Sequence, residues 1–158
     1  MTNDFLQDSR DKSVLTEKTM NQKVREEGDF SNKEKMLPPF DVLIPTYKPG
    51  EKFRALLSGL EEQEYPPNKI IIVNTEERYF PKEILEGRKL KIELHHIKRE
   101  DFDHAFARNL AASFSDAEYF LSMTDDAVPA DKMLTGELLT AFSWDSRIAE
   151  VYARQLCT

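Results

Sequence analysis

The chain has 158 residues, 40% of them hydrophobic and 32% charged, and its formal net charge is −7 at pH 7. This length fits one domain with a hydrophobic core, and the few glycines and prolines exclude a collagen-like chain. The negative charge argues against non-specific binding to nucleic acid, which requires a basic surface. A nucleotide is not excluded, because a single bound cation can hold a diphosphate.

Residues 1–37 are predicted to form a disordered tail, and residues 38–158 the domain. In the tail, charges of both signs alternate with polar residues, and the isolated apolar residues bury too little surface to offset the entropy of ordering. The sequence contains no apolar run of transmembrane length and no signal-peptide core. Its single cysteine, Cys157, cannot form an internal disulfide, which favours a reducing compartment. We therefore expect a cytoplasmic protein.

The first part of the domain predicts two buried strands joined by a helix. Val42–Ile44 is a short apolar strand, and Pro45 is expected to end it because proline cannot donate to a strand ladder. Lys69–Val73 is a β-branched run without polar alternation, as in strands that are buried on both faces. Between the two strands, apolar residues recur at helical spacing from Phe53 to Leu60.

Six further elements are predicted between residues 81 and 152. In chain order they are a short helix over 81–86, an outer strand over 90–97, a helix over 105–112 capped by Asp101 or Asp103, a buried strand over 119–123, a helix over 131–143 and a strand over 148–152. Strands that alternate with helices predict an α/β fold, with a mostly parallel sheet flanked by helices and right-handed crossovers.

Polar residues follow three of the predicted strands, at Thr46–Tyr47, Asn74–Glu76 and Asp125–Asp126. The carboxyl ends of parallel strands meet at one edge of the sheet, which is where ligands bind in open α/β sheets. The two adjacent carboxylates of the last pair are natural ligands for a hard divalent cation that bridges to a phosphate. The alternative is a solvated turn before a helix, with Asp131 as the helix cap.

Two blocks of the sequence are similar to a known family, and the similarity covers residues 40 to about 156. The block VLIPTYKPGEKFRALLSGLEEQEYPPNKIIIVNTEE resembles the start of an inverting family 2 glycosyltransferase of the GT-A fold. The block FDHAFARNLAASFSDAEYFLSMTDDAVPAD resembles the rhamnosyltransferase-like branch of that family. The resemblance implies a Rossmann-like domain that takes a dTDP- or UDP-linked sugar, with rhamnose as one candidate, for transfer to a glycan or lipid-linked acceptor.

The resemblance also implies a nucleotide-sugar pocket at the ends of the first two strands. Pro45, Thr46 and Tyr47 would line this pocket. Asn74 would hydrogen-bond a uracil or thymine edge, and Glu76 would accept hydrogen bonds from the ribose hydroxyls. A polar loop or a helix cap is the alternative for the segment that holds Asn74 and Glu76.

Arg108 and Asn109 match the Arg-Asn pair of the family, in the helix that follows Asp103 and His104. Arg108 would reach the diphosphate or brace Asp126 through a bidentate pair, and a structural salt bridge is the alternative. A histidine in the position of His104 more often caps a helix or packs than catalyses, so it is a weak candidate.

The metal motif of the family is Asp-x-Asp, and the aligned triplet in this chain is Thr124-Asp125-Asp126. A hydroxyl replaces the first carboxylate, so the resemblance leaves Asp126 as the expected metal ligand and Asp125 as a residue that contacts the sugar or points away. The expected ion is Mg²⁺ or Mn²⁺, which would act as a Lewis acid on the leaving diphosphate. A divalent ion needs few protein carboxylates when phosphates supply its other oxygens.

An inverting transfer also needs a general base to deprotonate the acceptor, and the resemblance places that carboxylate beyond Thr158. The catalytic residues are therefore unknown, and we expect the nucleotide-binding half of an incomplete transferase domain. Two functions stay open from the sequence: a transferase, for which peripheral contact with membrane assembly machinery is one expectation, and a nucleotide-sugar-binding remnant that does not transfer. No nucleic-acid partner is expected.

Overall fold

The computed structural model describes residues 37–156 of the chain. In this part, four strands and three α-helices follow one another. The strands are β1 (Phe40–Thr46), β2 (Lys69–Thr75), β3 (Ile92–Ile97) and β4 (Tyr119–Ser122), and the helices are α1 (Glu51–Glu61), α2 (His104–Ser113) and α3 (Leu134–Ala141). Short 3₁₀ turns lie at Glu77–Tyr79, Lys82–Ile84 and Arg99–Asp101.

The four strands form one parallel sheet in the order β3-β2-β1-β4. This arrangement confirms the predicted α/β class with a parallel sheet flanked by helices. The register pairs Thr46 with Asn74, and Asn74 with His96, across the carboxyl ends of β1, β2 and β3. The residues that follow these strands therefore meet at a single edge of the sheet.

The two central strands pack against helices on both faces, because their side chains alternate between the faces. On one face, Ile44 and Ile72 belong to the cluster that includes the apolar side of α1. On the other face, Ile71 packs with Ala107 and Ala111 of α2. The alanines leave room for α2 to approach the sheet closely. Each large side chain buried in this way contributes about 1.5–3 kcal/mol to stability.

A strand forms in the predicted region 119–123, but the prediction that it is buried is wrong. As β4 it lies at the edge of the sheet, and within residues 37–156 it pairs only with β1. The side chain of Phe120 is consequently 55% exposed, and that of Ser122 is exposed as well. A short apolar run has the same pattern in a central strand and in an edge strand, so the sequence did not distinguish them.

Other predicted elements differ in extent. The strand predicted over 148–152 is irregular, and Tyr152 is 87% exposed, because no neighbouring strand in the described part of the chain completes its ladder. The helix over 81–86 is only a 3₁₀ turn, and that over 131–143 shortens to α3. β1 continues through Pro45 to Thr46, so Pro45 does not end it.

The predicted tail lies outside the described residues except for Leu37, whose side chain packs against the core near Gly136 of α3. Cys157 also lies outside them. Within residues 37–156, no helix is both long enough and apolar enough to cross a lipid bilayer.

Candidate functional site

The end of β1 and the segment after β4 meet through a direct hydrogen bond. We call residues 123–133, which connect β4 to α3, the acidic loop. Thr46 is almost fully buried, and its Oγ1 donates to Oδ2 of Asp125 at 2.7 Å. The two residues are 79 positions apart in the sequence, so this contact depends on the parallel pairing of β1 with β4. It fixes one carboxylate of the acidic loop at the carboxyl edge of the sheet.

The neighbouring carboxylate is placed differently. Asp126 lies in a turn that is closed by a hydrogen bond from the N–H of Ala127 to the carbonyl of Thr124 at 3.2 Å. Its side chain is exposed, whereas Asp125 is half-buried. Asp126 therefore has its carboxylate available to solvent, while one oxygen of Asp125 is engaged by Thr46.

The two aspartates fit a hard divalent cation only if other oxygens complete its coordination. Within residues 37–156, no group of three or more His, Cys, Asp or Glu side chains is placed to hold a metal ion. Mg²⁺ commonly binds through one or two carboxylates, with substrate phosphates and water supplying its remaining ligands. The two aspartates of the acidic loop suit a site of this kind, in which substrate phosphates and water supply most of the ligands.

Asn74 at the end of β2 is fully buried and organises the turn that follows it. Its Nδ2 donates to the carbonyl of Glu76 at 3.2 Å and to Nδ1 of His96 at 3.0 Å. The second bond leaves the proton of a neutral His96 on Nε2. The Oδ1 of Asn74 and the Oγ1 of Thr75 are buried, and neither has a partner in the described part of the chain.

The backbone is strained where β1 and β2 end. Lys48 and Glu76 have φ angles of +55° and +61°, in the left-handed region that residues with a side chain seldom adopt. Each such residue costs on the order of 1–3 kcal/mol, and strain of this kind clusters at functional sites. The carboxylate of Glu76 is held by Nη2 of Arg78 at 2.7 Å.

Tyr47 is the centre of a cluster of aromatic and cationic side chains at the same edge. Its ring lies 5.8 Å from that of Tyr79 in an edge-to-face contact, and Lys48 Nζ lies 5.0 Å and 4.5 Å from the two ring centres. Nη1 of Arg99 donates to the Tyr47 hydroxyl at 2.9 Å. The cluster brings positive charge and aromatic rings to the carboxyl ends of β1, β2 and β3, away from β4.

The sequence analysis missed Lys48, Tyr79 and Arg99 as candidate residues. A signal for Arg99 was present, because it lies two residues after β3, at the same edge as Tyr47 and Glu76, which directly follow β1 and β2. Tyr79 and Lys48 gave no comparable signal, since a loop tyrosine or lysine is common at any protein surface.

An open groove of about 1010 Å³ lies beside this cluster. Its lining includes Glu76, Arg78, Phe80, His96 and Lys98, which come from the ends of β2 and β3 and from the turns between them. The groove is therefore lined by groups of both charges.

Helix α2 begins with the expected cap. Asp103 Oδ1 accepts from the N–H groups of Ala105 and Phe106, both at 2.9 Å, so Asp103 and not Asp101 is the capping residue. The backbone N–H groups of Phe106 and Ala105 hold the pKa of the Asp103 carboxyl below its ordinary value. His104 is the first residue of the helix, and its ring contacts Phe102 edge to face.

The Arg-Asn pair lies on α2, and within residues 37–156 no hydrogen bond or ion pair joins either side chain to the acidic loop. Arg108 is half-buried, and its Nη1 donates to the carbonyl of His104 at 3.3 Å. No ion pair joins Arg108 to Asp126 among residues 37–156, so the brace considered from the sequence is not formed. Asn109 is exposed.

The chain matches the model of Glycosyl transferase family 2 over residues 41–157, well over half of its length. It is 33% identical over 116 residues to the O-antigen chain rhamnosyltransferase RfbN of Salmonella typhimurium. This alignment covers 73% of the chain and 36% of RfbN.

The fold is similar to that of solved structures of S. aureus TarS. The TM-score is 0.56 to TarS 1-349 at 18% identity, with 76% of this chain and 38% of that chain covered. The complex of TarS 1-349 with UDP-GlcNAc gives the same score and identity. The chain thus spans little more than a third of the length of RfbN and TarS 1-349. It belongs to glycosyltransferase family 2 and has the GT-A, Rossmann-like fold.

Proposed function

We propose that this chain binds a nucleotide-diphospho-sugar at the carboxyl edge of its sheet and presents the sugar for inverting transfer. The donor is a dTDP- or UDP-sugar, with rhamnose as the first candidate, and the acceptor is a glycan or a lipid-linked glycan. The observation that carries the proposal is the hydrogen bond from Thr46 to Asp125, which joins the Pro-Thr-Tyr segment to the acidic loop. Membership in family 2 and the similarity to a rhamnosyltransferase support the class of reaction.

The nucleoside occupies the region around Tyr47, beside Pro45 and Thr46. The Tyr47 ring offers an aromatic face for the base, and the Glu76 carboxylate accepts hydrogen bonds from ribose hydroxyls. Asn74 supports this contact indirectly, because its Nδ2 donates a hydrogen bond to the backbone carbonyl of Glu76. TarS 1-349 has been solved with UDP-GlcNAc, which supports a nucleotide-sugar as the ligand class.

The diphosphate lies between the acidic loop and the positively charged side chains of Lys48 and Arg99 near Tyr47. Asp126 would hold Mg²⁺ or Mn²⁺ together with the phosphate oxygens, and Asp125, whose carboxylate accepts from Thr46, would contact the sugar. When bound, such an ion neutralises the negative charge that develops on the leaving diphosphate. Arg108 and Asn109 lie on α2 within the segment that resembles the family, and we assign them to the diphosphate and sugar side of the pocket.

We assign no residue of 37–156 to the acceptor site or to the general base. The relatives are nearly three times as long as the matching region, so transfer by the whole protein is an inference from the family. A cytoplasmic location and peripheral contact with membrane assembly machinery are likewise predictions, and both come from the sequence.

The test is a titration of the 158-residue protein with UDP and with dTDP, each with and without Mn²⁺. We expect one of the two nucleotides to bind, with tighter binding when Mn²⁺ is present. Asp126→Ala should lose the gain from Mn²⁺ and keep the metal-free affinity, because only the metal ligand is removed.

Asp116→Ala is the matched control, since Asp116 is an exposed aspartate just before the opposite end of β4. It should bind as the wild type does. If neither nucleotide binds, or if Asp126→Ala keeps the full effect of Mn²⁺, the assignment of this edge is wrong.

A further inference from the structure

Gln63, two residues after α1, is a buried polar residue that connects the end of α1 to the segment around the acidic loop. It is 5% exposed, whereas Glu62 and Glu64 on either side are exposed. Its Nε2 donates to the carbonyl of Asp131 at 2.7 Å and to that of Gly59 at 3.0 Å. Its Oε1 accepts from the N–H of Thr135 at 3.1 Å, so the amide is fully used.

Gly59 makes the second contact between α1 and the acidic loop. The Pro129 ring packs against the helix where Gly59 has no side chain. A Cβ built on Gly59 would lie 3.0 Å from Cδ and 3.3 Å from Cγ of Pro129, which is closer than ordinary contact. Glycine in a helix interior lowers helix stability, so its presence here is explained by the close approach of the ring.

The acidic loop is therefore held at both ends. Near its start, Thr46 binds Asp125. Near its end, Gly59 of α1 packs against Pro129, and Gln63, just after α1, binds Asp131. The carboxylates of Asp125 and Asp126 lie between these two attachments, on a segment that has no regular secondary structure. The position of such groups depends on the contacts that support them, and removal of such a support typically lowers metal affinity by about 10–100-fold.

We propose that Gly59 and Gln63 are positioning residues, which set where the carboxylates of the acidic loop stand relative to a bound metal and nucleotide. This inference rests on the proposed function for its consequence in binding. Neither residue contacts the ligand, and both act through the backbone of the acidic loop.

Gly59→Ala separates positioning from stability. Alanine has the higher helix propensity, so α1 itself gains, while the new methyl group displaces Pro129. Gly136→Ala is the matched control, because Gly136 is also helical and its Cβ would meet its nearest neighbours at an ordinary 3.9 Å. Gln63→Glu is the second variant: it keeps the size of the side chain but replaces the donor to Asp131 with an acceptor. Gln155→Glu makes the same change at an exposed position.

The first measurement is backbone amide exchange in residues 124–133 of each variant. We expect faster exchange there in Gly59→Ala and Gln63→Glu, with β1 and β2 unchanged, and wild-type exchange in both controls. The second measurement is the ratio of UDP dissociation constants without and with Mn²⁺. This ratio should fall on the order of tenfold in the two test variants, while metal-free affinity is kept.

Wild-type exchange in the acidic loop of both test variants would overturn the inference, as would an equal fall of the ratio in Gly136→Ala. A stabilising role without positioning would lower thermal stability and leave the ratio unchanged, which also counts against it. If the wild-type protein binds neither UDP nor dTDP, the proposed function fails, and the amide exchange still decides whether α1 positions the loop.

Discussion

The two sides of the sheet differ in how firmly they are held. β1 and β2 are buried on both faces, and every residue of β2 is buried. In β4 and the acidic loop every residue is half-buried or exposed, and a few hydrogen bonds attach them to β1 and to Gln63 after α1. The fold and the candidate site are therefore stabilised by different contacts. Changes in the central strands should therefore affect the whole fold, and changes around the acidic loop should affect binding first.

The largest expected effect is on the buried side of this comparison. Ile72→Ala removes a side chain that is 0% exposed, and it should lower the free energy of unfolding by about 2–5 kcal/mol. Phe120→Ala in β4 should change it by less than about 0.5 kcal/mol, because Phe120 is largely exposed. Urea unfolding monitored by circular dichroism measures both. Equal losses would show that β4 contributes to stability as a central strand does.

Thr46→Val tests the hydrogen bond that joins β1 to the acidic loop. The change keeps the shape of the side chain and removes the donor to Asp125, so stability should fall by about 1 kcal/mol. The gain in UDP affinity from Mn²⁺ should fall on the order of tenfold, because Asp125 loses its support. Titration calorimetry measures the affinity. Thr140→Val in α3 removes an exposed threonine hydroxyl and should leave the affinity unchanged; a loss there would speak against a specific role of Thr46.

The ion pair at the amino end of β2 gives a prediction on pH. Lys69 Nζ lies 3.0 Å from Glu93 Oε2 and donates to the carbonyl of Phe114 at 2.7 Å. The hydrogen bond from Lys69, and then that from His95, lowers the pKa of the Glu93 carboxyl, so its stabilising effect is present above its unfolded pKa and is lost as the pH falls through the folded value.

The difference in urea midpoint between the wild type and Glu93→Gln should therefore be constant near neutral pH and shrink on acidification below the ordinary pKa of glutamate. The pKa of Lys69 is raised chiefly by the same bond, so its own contribution is lost only at high pH. A difference that grows with acidification would contradict the assignment.

The smallest expected effect is at the cap of α2. Asp103→Ala removes the acceptor for two N–H groups and should lower thermal stability by less than Ile72→Ala does. The lowered pKa of Asp103 means that the loss should fade as the pH drops through the folded pKa of this carboxyl. Thermal unfolding at two pH values measures it. Asp101→Ala, at a nearby aspartate that does not cap the helix, should have no such effect.

The sequence predicted the parallel sheet and the edge that gathers polar residues, because buried β-branched runs and strand–helix alternation carry strong signals. It also identified Asp103 as one of two possible caps. It did not predict that β4 is an edge strand, since which strands flank it depends on contacts distant in the sequence. The contact from Gln63 to Asp131 was not predicted either. The two residues are distant in the sequence, and a glutamine between glutamates has the pattern of an exposed position.

The cluster around Tyr47 could be predicted only in part. Tyr47 was named because it follows a strand, but its partners Tyr79 and Arg99 come from separate turns whose approach is set by the register of β2 with β3. The strain at Lys48 and Glu76 could not be predicted either, because neither residue type signals a positive φ. Long-range geometry thus decided the parts of the site that local pattern left open.

Amide NMR spectra with UDP and Mg²⁺, and then with Mn²⁺ in its place, test the central claim most directly. We expect shift changes at Thr46, Tyr47 and Glu76, and paramagnetic broadening from Mn²⁺ centred on Asp125 and Asp126. Broadening centred elsewhere, for example near Glu93 at the amino end of the sheet, or no change with UDP or with dTDP, would contradict it.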